Sequence, residues 1–207
     1  MTFLITQTSP TEPEYAQFRS IATQWSNQTE GACRFLRENP QDYQQMFQSE
    51  NICWGLSLPI TKEDSDPVTQ CFISYKPAGV PQALMMTTEK NNTIHILYLA
   101  TNPLNILSST GDHKALIQKR GELNHPTKGS GTSLMNHIIQ EALKKGSGLK
   151  LDADQSTKTF YERFGFIGPE AKDSIPMHLS LEKIRSLYQQ SSPSLAAYTI
   201  YQKQLSA

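Results

Sequence analysis

At 207 residues the chain is sized for one domain, or for one domain with a small extra lobe, and the usual area scaling lets roughly 70% of its surface be buried without a metal or disulfide. Nineteen basic side chains balance nineteen acidic ones, so the basic excess that accompanies duplex binding is missing and no nucleic-acid partner is expected. Apolar runs stop well short of the roughly 20 residues a membrane span needs, and MTFLITQTSP has neither a charged n-region nor a long apolar core, so a cytoplasmic protein with no membrane partner is expected.

In chain order, Phe3–Thr6 reads as a short edge strand. Pro10 and Pro13 then prepare a helix over Glu14–Trp25, with Tyr15, Phe18, Ile21, Ala22 and Trp25 on one face. Further helical patterns cover Ala32–Arg37 and the stretch from Pro40 through Gln48, and Trp54–Ile60 reads as a strand. After the polar loop TKEDSDP the period becomes extended. Cys71–Lys76, Ala83–Thr88 and Thr93–Thr101 are separated by KPAGVPQ and EKNN, whose Pro, Gly and Asn content marks turns, so an antiparallel meander is expected. The helical period returns after Gly131, with Leu134, Ile138, Ile139 and Ala142 as an apolar stripe, and ends at Gly146 or Gly148 behind Lys144 and Lys145. Leu149–Ala153 reads as a strand, Thr157–Phe164 as a short helix and Met177–Leu181 as a last strand. From Ile184 to Leu205 one or two helical pieces break at Pro193. The sum is an α/β (α+β) domain with a mixed, mostly antiparallel central sheet flanked by helices.

Cys33, Cys53 and Cys71 are odd in number and have no close pair, which fits neither a disulfide framework nor a zinc site, and no metal is expected. The segment NHPTKGSGTSL lies between the Thr93–Thr101 strand and the following helix. Gly129 and Gly131 lack the Cβ atoms that keep an anion from the backbone, and the amides of Gly129, Ser130, Gly131 and Thr132 sit at a helix start, where unpaired N–H groups and the dipole favour negative charge. Lys128 adds charge. Taken alone, Gly-x-Gly before a helix is most often only a tight turn. The spacing matches neither the Walker pattern nor the dinucleotide fingerprint.

After the next strand comes DADQSTKTFYERFGF. This segment and the glycine loop together resemble the GNAT acetyltransferase superfamily over roughly Gln82 to Leu181. Gly129 and Gly131 match that family's acyl-CoA pyrophosphate loop, and Tyr161, Gly165 and Phe166 match its later Tyr-x-x-x-Gly-Phe element. The strand IHILYLA resembles the family's fourth strand, where the pantetheine arm pairs with the backbone. Pro126 stands where the loop has Gln or Arg, and Asp154 where the family often has Asn.

The resemblance implies a GNAT-like fold with acetyl-CoA as co-substrate and a small-molecule or peptide amine as acceptor. It implies cofactor contacts at Leu99, Ala100, Thr101, Lys128, Gly129, Ser130, Gly131 and Thr132. It also places Tyr161 as proton donor to the departing thiolate. For the base, His95 lies four residues before Leu99, and imidazole titrates near neutral pH; Tyr98, Asp152, His125 and water compete for that role. Bland readings stand beside these: Tyr161 as an aromatic anchor for a short helix, His95 as a packed strand residue. Transfer within a ternary complex needs no covalent intermediate, so the cysteines receive no role. A GNAT-like domain is expected over 1–181, with an acceptor-side part at 1–60, an acyl-CoA core at 71–181, and an insert at 102–127 that shapes acceptor access and carries a capped helix from Gly111 to Gly121. A C-terminal extension at 182–207 is a candidate homodimer contact. The alternatives are a catalytically inactive module of the same fold that binds acyl-CoA or a protein partner, and an unrelated polar interaction domain.

Overall fold

The computed structural model describes residues 3–35, 40–60, 68–77, 79–103, 128–170 and 174–191. The expected helix between Gly111 and Gly121, most of the insert, Pro126, His125 and the piece beyond Pro193 lie outside the described residues. The elements are β1 (Leu4–Thr8), α1 (Tyr15–Phe35), α2 (Pro40–Ser57), β2 (Val68–Tyr75), β3 (Pro81–Lys90), β4 (Thr93–Thr101), α3 (Ser130–Lys145), β5 (Gly148–Ala153), α4 (Lys158–Glu162), β6 (Ile175–Leu179) and α5 (Leu181–Ser191).

The strands form one sheet in the order β1-β2-β3-β4-β5-β6. β1–β2, β2–β3 and β5–β6 are antiparallel. β3 and β4 are joined by Asn91 and Asn92, both at positive φ (51° and 53°), the two-residue turn whose twist suits an antiparallel hairpin. The step from β4 to β5 is bridged by α3 and makes the sheet mixed. The expected fold class is the one observed.

Contacts divide the chain into two compact units: Met1–Lys90 with His95–Ile138, and Asn91–Ile94 with the residues from Ile139 onward. In the first, the face read from the sequence is the core of α1: Tyr15, Phe18, Ile21, Ala22 and Trp25 are all buried. The helix runs on to Phe35, so the separate helix over Ala32–Arg37 is corrected. The polar stretch SNQTEG hides a continuing stripe through Thr29 and Cys33, both buried. Thr29 satisfies its hydroxyl by donating to the Trp25 and Ser26 carbonyls at 3.0 and 2.8 Å.

The strand expected at Trp54–Ile60 is also overturned, because α2 continues to Ser57. Met46, Ser49, Cys53 and Leu56 repeat at helical spacing and are buried, and that stripe outweighs the β propensity of Trp, Leu and Ile. α1 supplies its C-terminal cap: Arg19 Nε donates to the Ser57 carbonyl at 3.0 Å, and the Tyr15 hydroxyl to that of Leu58 at 3.3 Å.

In the second unit, β6 begins at Ile175, two residues before the expected Met177. Ile175, Met177 and Leu179 are buried and pair with Ala153, Leu151 and Leu149, and Leu181 already opens α5. α3 ends as the sequence indicates. Gly146 sits at φ +70°, its N–H bonds the Leu143 carbonyl at 3.3 Å, and the Ser147 N–H bonds that of Ala142 at 2.8 Å. That pair of bonds is a Schellman motif with glycine at the left-handed position.

Candidate active site

The turn Lys128–Gly129 leads directly into α3, whose helical bonding begins with Ser133 N–H on the Gly129 carbonyl at 2.8 Å. The amides of Ser130, Gly131 and Thr132 therefore precede the first turn's α-helical bonds, where an anion site is built. Gly129 adopts φ +93°, and a Cβ added there would meet only open space, so backbone conformation rather than crowding demands glycine at this position. Lys128, Gly129 and Thr132 are exposed, while Ser130 and Gly131 are buried.

On β4, Leu99 and Thr101 are half-buried and Ala100 is buried in the cluster formed with α1 and α2, so Ala100 offers a ligand only its backbone. His95 is half-buried, four positions and about 13 Å of strand from Leu99 at about 3.3 Å per residue. Just beyond β4, Asn102 N–H donates to the Gln82 carbonyl of β3 at 2.9 Å. Tyr98 and Ala100 pack with the α1–α2 cluster, which does not include the buried Ile94 and Ile96.

Tyr98 settles against Gly55 of α2, a contact the sequence reading missed. A Cβ at Gly55 would lie 2.7 Å from the Tyr98 Cε1 and Cζ atoms. A glycine inside a helix is the signal for such close approach, hidden here because the segment reads as a strand. Gly55→Ala should therefore forfeit the gain of about 1 kcal/mol that this exchange normally brings in a helix, and recover it in a Tyr98→Ala background. A thermal-unfolding double-mutant cycle checks this, and additivity of the two changes would contradict it.

Tyr161 belongs to the other unit. Gly165 adopts φ +88°, its N–H bonds the Glu162 carbonyl at 2.9 Å, and the Phe166 N–H bonds the Tyr161 carbonyl at 3.4 Å. The Tyr161 and Phe166 rings meet edge-on with centroids 6.0 Å apart. This is a second Schellman motif with its accompanying apolar contact, and it accounts for the Tyr-x-x-x-Gly-Phe spacing. Phe160 packs edge-on against Tyr161 at 5.1 Å. Tyr161 is half-buried, and desolvation among these rings pushes its phenol up to about 12. Asp154 spends its carboxylate locally, Oδ1 accepting the Ser156 N–H at 2.8 Å.

The cysteines are buried. Desolvation raises the Cys53 and Cys71 thiols to about 12, and desolvation followed by the Glu50 hydrogen bond raises Cys33 to about 11. All three are protonated and poorly nucleophilic at neutral pH. Among the described residues no three His, Cys, Asp or Glu side chains group as a metal site, and no helix is long and apolar enough to cross a membrane. A cavity of about 380 Å³ between β1, β2 and the start of α1, lined by Thr6, Glu14, Gln17, Tyr75 and Lys76 among others, contains none of the expected site residues.

The strand, glycine turn, helix, strand and capped-tyrosine elements follow one another in the order the two motifs require. That order, on a mixed sheet flanked by helices, is the one expected from the GNAT resemblance. No family profile matches the sequence, nor does any curated protein. Solved structures similar to this one include the coenzyme A complex of the PaiA N-acetyltransferase from Thermoplasma acidophilum, at 13% identity and TM-score 0.49, covering 87% of this chain and 99% of that one. Another is the ribosomal-protein-S18-alanine N-acetyltransferase from Escherichia coli, at 16% identity and TM-score 0.46, covering 86% and 94%. An acyl-CoA N-acyltransferase from Pseudomonas aeruginosa matches at 13% identity and TM-score 0.48, covering 86% and 100%.

Proposed function

We propose that this protein is an N-acetyltransferase that moves an acetyl group from acetyl-CoA to a primary amine by direct attack in a ternary complex. The reading is carried by the Lys128–Thr132 turn, where a glycine at φ +93° opens α3 immediately ahead of three first-turn amides. The diphosphate of CoA lies against those amides and Lys128, and the pantetheine arm runs along the backbone of Leu99–Thr101. The amine, with an ordinary pKa near 10.4, must lose a proton before it attacks. Its nitrogen bonds to the thioester carbon, the carbon–sulfur bond breaks, and the thiolate leaves. His95 takes the amine's proton, directly or through water.

Tyr161 serves the thiolate. Donating a proton from a phenol held at about 12 to a thiol near 8.5 is uphill by about 5 kcal/mol, so its part is a neutral hydrogen bond to the sulfur, with the proton arriving from solvent. Calorimetric CoA binding together with acetyl-CoA consumption over a panel of amines tests the assignment. Tyr161→Phe should lower kcat about 10²-fold at every pH from 6 to 10, and the parent enzyme should show no descending limb near pH 10 from this group. The capping role that accounts for the Tyr161 spacing favours a second reading, a domain that binds acyl-CoA without transferring it. CoA binding with no turnover on any amine would select that reading.

A further inference from the structure

The end of β4 is held by more than its ladder. Pro81 opens β3 and Pro103 stands two residues after β4, and neither has an N–H to give, so this end of the β3–β4 pair is short of donors on both strands. β2 gives irregular support here, because its pairing with β3 shifts register between Ser74 and Tyr75, where Tyr75 meets Pro81. Asn102 supplies two bonds. Its N–H donates to the Gln82 carbonyl at 2.9 Å, and its side-chain Nδ2 donates to the Pro81 carbonyl at 3.1 Å. Gln82 Nε2 donates to that same Pro81 carbonyl at 3.1 Å. Asn102 and Gln82 are both buried, at 7% and 3% exposed.

The place of this clamp gives it a use. Asn102 directly follows Thr101, the last of the three residues assigned to the pantetheine arm. A residue before proline is confined to extended backbone, and in an extended strand successive residues turn their N–H and C=O groups to opposite edges. With the Asn102 N–H committed to β3, Thr101 turns its own groups to the edge away from β3, the edge a pantetheine amide can use. A β4 end that peeled from β3 would lose that presentation.

We infer that Asn102 is a positioning residue for the pantetheine arm, tying the end of β4 to two successive β3 carbonyls so that the Leu99–Thr101 backbone stays set for the cofactor. The inference rests on the acetyltransferase reading and adds to it a residue that acts through the backbone of β4 and not on the thioester.

The test compares calorimetric affinities for CoA and for adenosine 3′-phosphate 5′-diphosphate, its nucleotide half, which lacks the pantetheine arm. The parent should bind CoA at least about tenfold more tightly than the nucleotide. Asn102→Ala should lower CoA affinity about tenfold, the scale of one buried hydrogen bond, and leave nucleotide affinity within about twofold. Asn102→Asp, equal in size but with an acceptor in place of the donor, should fall at least as far. A role in folding alone would lower the melting temperature and leave the ratio of the two affinities intact. Hydrogen exchange on the parent protein needs no variant: CoA, and not the nucleotide, should slow the Thr101 amide, while the Asn102 amide is slow without either. An affinity ratio unmoved by both substitutions, or a Thr101 amide indifferent to CoA, would overturn the role of Asn102 while leaving the transferase standing. A parent that binds neither CoA nor the nucleotide would overturn both.

Discussion

Gly131→Glu should abolish CoA binding, weakening it at least 100-fold, or about 2.7 kcal/mol, in a protein that still folds. Two effects act together. The new carboxylate is a negative charge covalently placed at a helix N-terminus, where the dipole and unpaired amides favour it by about 0.3–1 kcal/mol, so it competes for the donors that would hold the diphosphate. It also repels that diphosphate at close range, and the buried setting of Gly131 reduces the screening that water would provide. Calorimetry with CoA measures the loss, and circular dichroism with a melting curve verifies the fold. Lys128→Ala provides the graded comparison: its exposed ammonium contributes a smaller part that fades with added salt. Unchanged CoA affinity in folded Gly131→Glu would remove the diphosphate from this turn and, with it, the enzyme assignment.

Local chemistry made much of this architecture legible. The α1 face, the Asn91–Asn92 hairpin, the glycine before α3 and the stop at Gly146 each follow from a residue type with one strong conformational preference. What was misread depends on partners distant in sequence. Nothing in Trp54–Ile60 announces that Arg19 and Tyr15 of α1 will hold the carbonyls of Ser57 and Leu58 at the end of α2, so its β-forming residues read as a strand. Ser26–Gly31 looks like a break because the apolar repeat passes through Thr29, whose hydroxyl is satisfied within the helix. The site shows the same division. Gly129 and the Tyr161–Phe166 element are visible as patterns, but the Schellman bonding that explains the second is visible only in three dimensions. Tyr98 entered the sequence reading as a competitor for the base; its seat at Gly55 depends on the meeting of a strand and a helix far apart in the chain.

The aromatic group around Tyr161 carries the second large effect. Phe166 is 2% exposed, its ring lies 6.0 Å from that of Tyr161, and its N–H closes the Schellman motif on the Tyr161 carbonyl. Phe166→Ala should cost about 3–5 kcal/mol by leaving a cavity in a packed interior, lowering the melting temperature by roughly 6–20 °C for a chain of this size. Phe166→Leu, which keeps the apolar contact beside the cap, should cost about 1.5 kcal/mol or less. The same cavity admits water to Tyr161, so its pKa should fall from about 12 toward 10. That shift has a signature in alkaline stability. A folded-state pKa raised by burial means the native protein holds its proton after the unfolded chain has released its own, so the stabilising contribution is complete below about pH 10 and is lost as pH rises toward 12. The parent protein should lose stability across that window relative to Tyr161→Phe, and the difference should shrink when both carry Phe166→Ala. Ultraviolet titration of tyrosinate and melting curves between pH 9 and 12 measure both effects. A Tyr161 that titrates unchanged in the Phe166→Ala variant would show that some other wall keeps water from the phenol.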